Sequence, residues 1–180
     1  MDPIGARLLV LVDTREKAPL IFPGHEVRRT TLRYGDYSAW GLKGVVEIER
    51  KSVYDMAGTC VLRQRWEGFL RKCDRWHTLA ERHRAPMIVV VEGHITDIYR
   101  LPFTQDSQVK ARGVNLYFHR VQLLMAMGIQ VLYAGNRDLA SHMILGLLGR
   151  ELEAREKGLT VREATMQREP DLRIPVAKAL

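Results

Sequence analysis

The chain is 180 residues long, 46% hydrophobic and 27% charged, with a net charge of +7, which suffices for one domain with a substantial core. Its apolar runs are strand-length, far short of a membrane span, and the N-terminus lacks the basic-then-apolar pattern of a signal peptide. Its two cysteines, Cys60 and Cys73, form no C-x-x-C pair, so a disulfide framework or structural zinc site is not expected and a reducing cytoplasm is.

Leu8–Val12 is a continuous apolar run ending at Asp13 and reads as a buried strand. Val27–Leu32, polar and β-branched, reads as an exposed strand. Tyr34-Gly35-Asp36-Tyr37 supplies a turn, and Val45–Lys51 a clearer strand. The short spacing of these strands predicts hairpins. Leu62, Trp66, Phe69, Cys73, Trp76 and Ala80 recur at three- and four-residue spacing. They mark an amphipathic helix of about six turns, with both tryptophans and Cys73 on its buried face. Pro86 follows, then a buried strand over Met87–Glu92, with His94 in the turn beyond it. Val114–Met127 reads as a helix, Ile129–Ala134 as a strand, and Leu139–Glu156 as a helix capped near Asn136. Alternating strands and helices after residue 60 predict parallel pairing through right-handed crossovers. The fold class is α/β, a mixed sheet flanked by helices. From Gly158 the pattern dissolves into charged residues with Pro170 and Pro175. The expected division is a domain over 1–157 and a loosely attached charged tail over 158–180.

The positive charge is concentrated. Residues 60–84 carry seven basic side chains, Arg63, Arg65, Arg71, Lys72, Arg75, Arg82 and Arg84, against three acidic ones. The blocks 1–59, 85–135 and 136–180 each net only +1. A basic strip beside a near-neutral remainder suits a polyanion such as DNA, although a solvated helix face has the same composition. Arg65, Lys72 and Arg75 fall near one face of that helix, and Arg63 opens it.

Nucleotide-binding and hydrolase motifs are absent: there is no Walker A loop, no G-x-G-x-x-G after a strand, no H-E-x-x-H and no G-x-S-x-G. No nucleotide cofactor is therefore expected. Acidic residues at strand ends remain. In Glu47-Ile48-Glu49-Arg50-Lys51 alternate side chains share a face, placing Glu49 and Lys51 together about 6.6 Å apart along the strand, with Arg50 opposite. A carboxylate can bind a divalent cation that polarises a scissile phosphate and acidifies water. A lysine beside it can orient that water and offset charge developing on phosphorus. A hard ion such as Mg²⁺ needs a second oxygen ligand, and Asp36, thirteen residues earlier and just after Gly35, is the candidate. Glu47 shares the face of Glu49 and is a rival. By itself E-x-K also describes a surface salt-bridge ladder. Ser52-x-x-Asp55 similarly reads as a capping box, in which Asp55 only satisfies helix N–H groups.

Gly35-Asp36 followed by Glu49-Arg50-Lys51-x-x-x-Asp55 resembles the GD…ERKxxxD signature of the XPF-type structure-specific nucleases, and Val12-Asp13-Thr14-Arg15-Glu16 is similar to that family's first-strand motif. The resemblance runs from about Leu8 to Arg150 and suits a small stand-alone form of bacterial or phage type. It implies a restriction-endonuclease-like core, with Asp36 and Glu49 as ligands of Mg²⁺ or Mn²⁺ and Lys51 as the catalytic cation. Asp13, Glu16 and Asp55 would complete the acidic cluster, with Arg50 supporting it and Arg15 pairing a carboxylate or meeting phosphate. It further implies cleavage of branched or flapped DNA by a homodimer, in DNA repair or recombination. The apolar stripe Leu139, Met143, Ile144, Leu147 and Leu148 is a candidate dimer face. Set against the larger family members, no helicase domain is expected, and residues 158–180 are expected to be too few for a helix-hairpin-helix module. Some members are catalytically silent and bind DNA or dock a partner subunit; their metal motifs are generally eroded, whereas every motif position is present here.

Overall fold

The computed structural model of the chain describes residues 7–101 and 107–168. Six strands form one sheet: β1 (Leu9–Asp13), β2 (Glu26–Thr30), β3 (Tyr37–Ala39), β4 (Ile48–Ser52), β5 (Met87–Glu92) and β6 (Ile129–Tyr133). Their order across the sheet is β2-β1-β3-β4-β5-β6. β3 is antiparallel to both of its neighbours, and every other pairing is parallel. The expected mixed sheet is present, as is the crossover pairing after residue 60.

The expectation of hairpins before residue 60 holds only for β3 and β4. β2 lies parallel to β1, with Leu9 opposite Glu26 and Asp13 opposite Thr30. The intervening segment 14–25 is a dozen residues long, enough for a crossover return without a helix. β3 then takes the other side of β1, with Val10 opposite Ala39. The reversed strand is thereby wedged between two parallel blocks.

Helices cover both faces. On one side lie α1 (Val53–Val61), α2 (Arg63–His83) and α3 (Ser107–Ala126), packed on Val89 and Val91. Trp66, Trp76, Cys60 and Cys73 are all buried there, and burial pushes both thiols up to about 12, so they behave as small hydrophobes. On the other side α4 (Arg137–Glu156) lies over Val10, Val12, Ile48, Ile88 and Val90 through Ile144, Leu145 and Leu148. The Asn136 side chain accepts from Leu139 N at 2.8 Å and starts α4 as expected. The stripe nominated as a dimer face is thus largely committed to this core. Ile144 and Leu148 are fully buried, Met143 and Leu147 pack beside them, and Leu139 is exposed. Beyond residue 157, where no regular element is expected, Val161–Arg168 forms a further helix, α5, with Ala164 buried. The rest of the tail, 169–180, lies outside the described residues.

One buried acid fixes the turn that leads into β3. Glu47 is 1% exposed. Its Oε1 accepts from Arg33 N at 3.2 Å, and its Oε2 from Tyr34 N at 2.6 Å and Gly35 N at 3.0 Å. Both oxygens are therefore taken up by backbone, which removes Glu47 as a rival metal ligand. Replacing it with Ala leaves these amides without an acceptor, at about 1–3 kcal/mol for each buried one. Urea unfolding of Glu47→Ala should lose on the order of 3 kcal/mol or more, with Glu47→Gln losing less because one acceptor remains.

Candidate active site

Asp36 enters the site through backbone pairing on both flanks. Its N–H donates to Ile48 O at 2.8 Å, and its C=O accepts from Asp13 N at 2.8 Å. The turn before it must lie directly on β4. A Cβ at Gly35 would meet the backbone N and O of Ile48 at 2.8 Å and the Glu47 Cβ at 2.9 Å, so glycine is needed there for space. The Asp36 carboxylate then accepts from Arg50 N at 2.8 Å through Oδ2, which brings it beside Glu49 on β4.

Strand alternation does the rest. Glu49 and Lys51 project from one face of β4, with Lys51 Nζ 3.5 Å from Glu49 Oε1. Lys51 also stands 5.0 Å from the centre of the Phe69 ring of α2, a cation–π contact that fixes its stem. Glu49 is 6% exposed, and its other oxygen, Oε2, accepts from the ammonium of Lys72, also on α2. Burial, and then the charge of Glu49, push Asp36 up to about 7, against the opposing effects of the Arg50 N–H and of Lys72. Two carboxylates and two ammoniums thus converge at the seam where β3 meets β4 and α2 crosses the sheet.

The other nominated residues fall around this centre, not in it. Asp13 is 1% exposed, and its carboxylate is enclosed by donors: Arg15 N at 2.8 Å, Arg15 Nε at 2.7 Å and Leu32 N at 2.6 Å. Burial pushes its pKa up, but the Arg15 side chain and the Leu32 and Arg15 amides prevail and hold it below the usual range. Asp13 and Arg15 therefore fasten the segment at Leu32 that leads to Asp36. The Arg50 side chain points away from Glu49, as alternation requires. It bonds both oxygens of Glu16 at 3.4 Å and reaches the carboxylate of Glu92 at the end of β5. Asp55 is exposed and held below its ordinary value; burial opposes this, but the Ser52 hydroxyl and then Arg65 prevail. It closes the expected cap with Ser52, with Asp55 N at 3.1 Å from Oγ, and meets Arg65 Nη2 at 3.2 Å.

The basic nominees divide in the same way. Lys72 turns inward to Glu49. Arg63 pairs with Glu67 at 2.8 Å, Arg65 with Asp55, and Arg15 with Asp13. Exposed pairs of this kind are weak, so Arg63 and Arg65 remain free to exchange a carboxylate for phosphate, and Arg75 is exposed. Sequence reasoning missed two members of the surroundings, Glu92 and Arg137, which meet at 3.5 Å. It also gave Lys72 to the outer surface. The available signal was helical phase: Lys72 follows buried Phe69 by three residues and so borders the buried stripe.

Asp36 and Glu49 fit a hard divalent ion. Both offer anionic oxygen, and Mg²⁺ is commonly held by one or two carboxylates, with waters and substrate phosphate completing the shell. Among the described residues no group of three or more His, Cys, Asp or Glu is gathered to cage an ion. The donor set suits an ion shared with substrate.

The architecture is an α/β fold, a mixed six-stranded sheet flanked by helices. The chain is similar to a solved structure of XPF from Aeropyrum pernix, with a TM-score of 0.54 and 22% identity over 88% of this chain and 80% of that one. No family model matches the chain, and no curated protein matches it in sequence. No helix among the described residues is long and apolar enough to cross a membrane.

The raised pKa of Asp36 has a consequence for stability. An unfolded aspartate titrates near 3.8, whereas folded Asp36 keeps its proton to about 7. The folded state therefore binds the extra proton across this window, and stability falls as pH rises through it. In chelator-treated protein, Asp36→Asn should melt higher than wild type at pH 8, with the advantage largely gone at pH 4. An equal shift at both pH values would show that the Asp36 charge is not what costs stability. Gly35→Ala should lower the melting temperature at every pH, because backbone must move to admit the methyl group.

Proposed function

We propose that this chain is a Mg²⁺- or Mn²⁺-dependent endonuclease that hydrolyses DNA phosphodiesters. The observation that carries the reading is the convergence of Asp36 and Glu49 beside the Lys51 ammonium, in a fold similar to that of the XPF structure. Asp36 and Glu49 would hold the ion, which supplies Lewis-acid polarisation of the phosphodiester and of the attacking water. Lys51, pinned between Glu49 and the Phe69 ring, is set to orient that water and to offset charge developing on phosphorus. Burial of the carboxylates in a water-poor seam strengthens each of these interactions. Asp13, Glu16 and Arg50 act as positioning residues through the strands and turn that carry Asp36.

The duplex would run along the exposed face of α2, where Arg63 and Arg65 in its first turn and Arg75 midway along it can contact phosphates. Branched or flapped DNA is the substrate class the sequence resemblance favours, and a homodimer the assembly. With the α4 stripe packed into the protomer, such a dimer would have to use another surface.

Glu49→Gln and Asp36→Asn each remove a ligand charge while keeping shape. Either change should reduce Mg²⁺-dependent cleavage by at least a hundredfold, with circular dichroism unchanged. Cleavage within tenfold of wild type would rule out the ligand assignment. A wild-type protein that binds DNA but cleaves none of single-stranded, duplex, flap, fork and four-way substrates would instead support a silent DNA-binding protein. Separately, DNA affinity should fall with salt by roughly 0.9 in log K per log salt for each phosphate neutralised. Changing Arg63, Arg65 and Arg75 together to Ala should flatten that slope by two to three phosphates' worth, and an unchanged slope would place DNA elsewhere.

A further inference from the structure

Lys51 already supplies a rigid ammonium beside Glu49, yet a second one reaches the same carboxylate from α2. The two lysines are held differently. Lys51 sits on a strand against Phe69, with its side chain 15% exposed. Lys72 is on a helix, its side chain is 28% exposed, and its charge is carried on a flexible four-carbon stem. Lys51 meets Oε1 of Glu49, and Lys72 meets Oε2. Lys72 thus contacts Glu49 directly, and its charge also opposes the upward shift of Asp36.

That is the position a divalent ion requires. With both carboxylates ionised, the two ammoniums make the centre neutral. Adding a divalent ion while Lys72 stays would crowd three cations around the same oxygens, and like charges a few ångströms apart in a buried site repel strongly. Lys72 can leave: its stem is flexible, and the neighbouring outer surface of α2 carries exposed Arg71 and Arg75. We propose that Lys72 is a tethered counter-ion. It occupies the cation seat of Asp36 and Glu49 while no divalent ion is bound, and it is displaced outward, toward the DNA phosphates, when one enters. The inference rests on Asp36 and Glu49 being the ligand pair of the proposed nuclease. It gives the site a built-in competitor that keeps the carboxylates paired in the metal-free chain and sets a threshold for metal binding. It also makes a phosphate-binding cation available only once the ion is in place.

Competition is read most directly without DNA. Mn²⁺ affinity of chelator-stripped protein, followed by calorimetry and by electron paramagnetic resonance, should rise at least tenfold in Lys72→Met, which keeps the apolar stem and loses the charge. Lys72→Arg, which retains the cation, should stay within a few-fold of wild type. Should Lys72→Met fold poorly, the wild-type chain gives a second readout. Reductive methylation followed by mass spectrometry should label Lys72 severalfold faster with Mn²⁺ present than absent, while Lys43, exposed and remote on the β3–β4 connection, serves as the reference. Unchanged or weaker Mn²⁺ binding by folded Lys72→Met, or Lys72 labelling indifferent to Mn²⁺, would overturn the counter-ion role and leave the nuclease reading standing. Absence of Mn²⁺ binding in both wild type and Lys72→Met would overturn the ligand pair itself, and the counter-ion with it.

Discussion

Asp36 and Glu49 repel each other, and much of the surrounding structure exists to keep them side by side. One comes from a turn and the other from a strand, and what joins them is the short antiparallel pairing of β3 with β4. Backbone hydrogen bonds seat Asp36 between Asp13 and Ile48, and the Arg50 amide takes one of its oxygens. Gly35 lets the chain press against β4, and Glu47 ties the three preceding amides to the same strand. None of these contacts removes the repulsion. That falls to the ammoniums of Lys51 and Lys72, and in part to protonation of Asp36. A stable domain that keeps two buried acids in this state is storing electrostatic energy which a bound cation would release.

The parts of this arrangement that follow from local periodicity were legible in the sequence. The two-residue repeat put Glu49 and Lys51 on one face and Arg50 on the other, and the structure agrees. Met87–Glu92 and the Asn136-capped helix were legible for the same reason, because buried strands and caps leave strong local patterns. What stayed hidden depends on tertiary partners. The parallel pairing of β1 with β2 has no local mark, since the same two strands could have closed a hairpin. Asp13 belonged to the expected acidic cluster, but the donors that enclose it come partly from Leu32, nineteen residues away. Lys72 lay in a basic strip that reads as uniformly outward-facing until the helix is docked and its border with the buried stripe becomes visible. The helix over 161–168 rests on packing against α4, which its charged sequence does not advertise.

Arg50 shows how the two faces of the sheet are coupled. Its amide belongs to the Asp36 side, whereas its guanidinium lies on the α4 side, bonded to Glu16 and Glu92. Arg137, in the first turn of α4, joins Glu92 and also donates to the carbonyls of Ala18 and Pro19 at 2.7 Å. The connection 14–25, the end of β5 and the start of α4 are therefore held by one chain of charges that ends at the backbone of β4. These charges are only partly exposed and successive members have opposite sign, so removing Arg50 leaves the largely buried Glu16 without its ion-pair partner. A change at Arg50 would be felt at Asp36 even though the arginine side chain touches neither Asp36 nor Glu49.

Side-chain direction divides the residues of this short motif into two groups. Asp36, Glu49 and Lys51 have side chains directed into a common space. Asp13, Arg15 and Glu47 direct theirs into backbone or one another, and Arg50 directs its guanidinium to Glu16 and Glu92. A signature that mixes both kinds is what a rigid strand pair requires, because a carboxylate displaced by about 1 Å no longer shares an ion with its neighbour. Asp55 stands apart from both groups. Its exposed ion pair with Arg65 and its bond to Ser52 hold the first turn of α1 close to the end of β4. Releasing Arg65 to a phosphate would leave that helix start capped by Ser52 alone, which ties any DNA contact at Arg65 to the strand that carries Glu49 and Lys51.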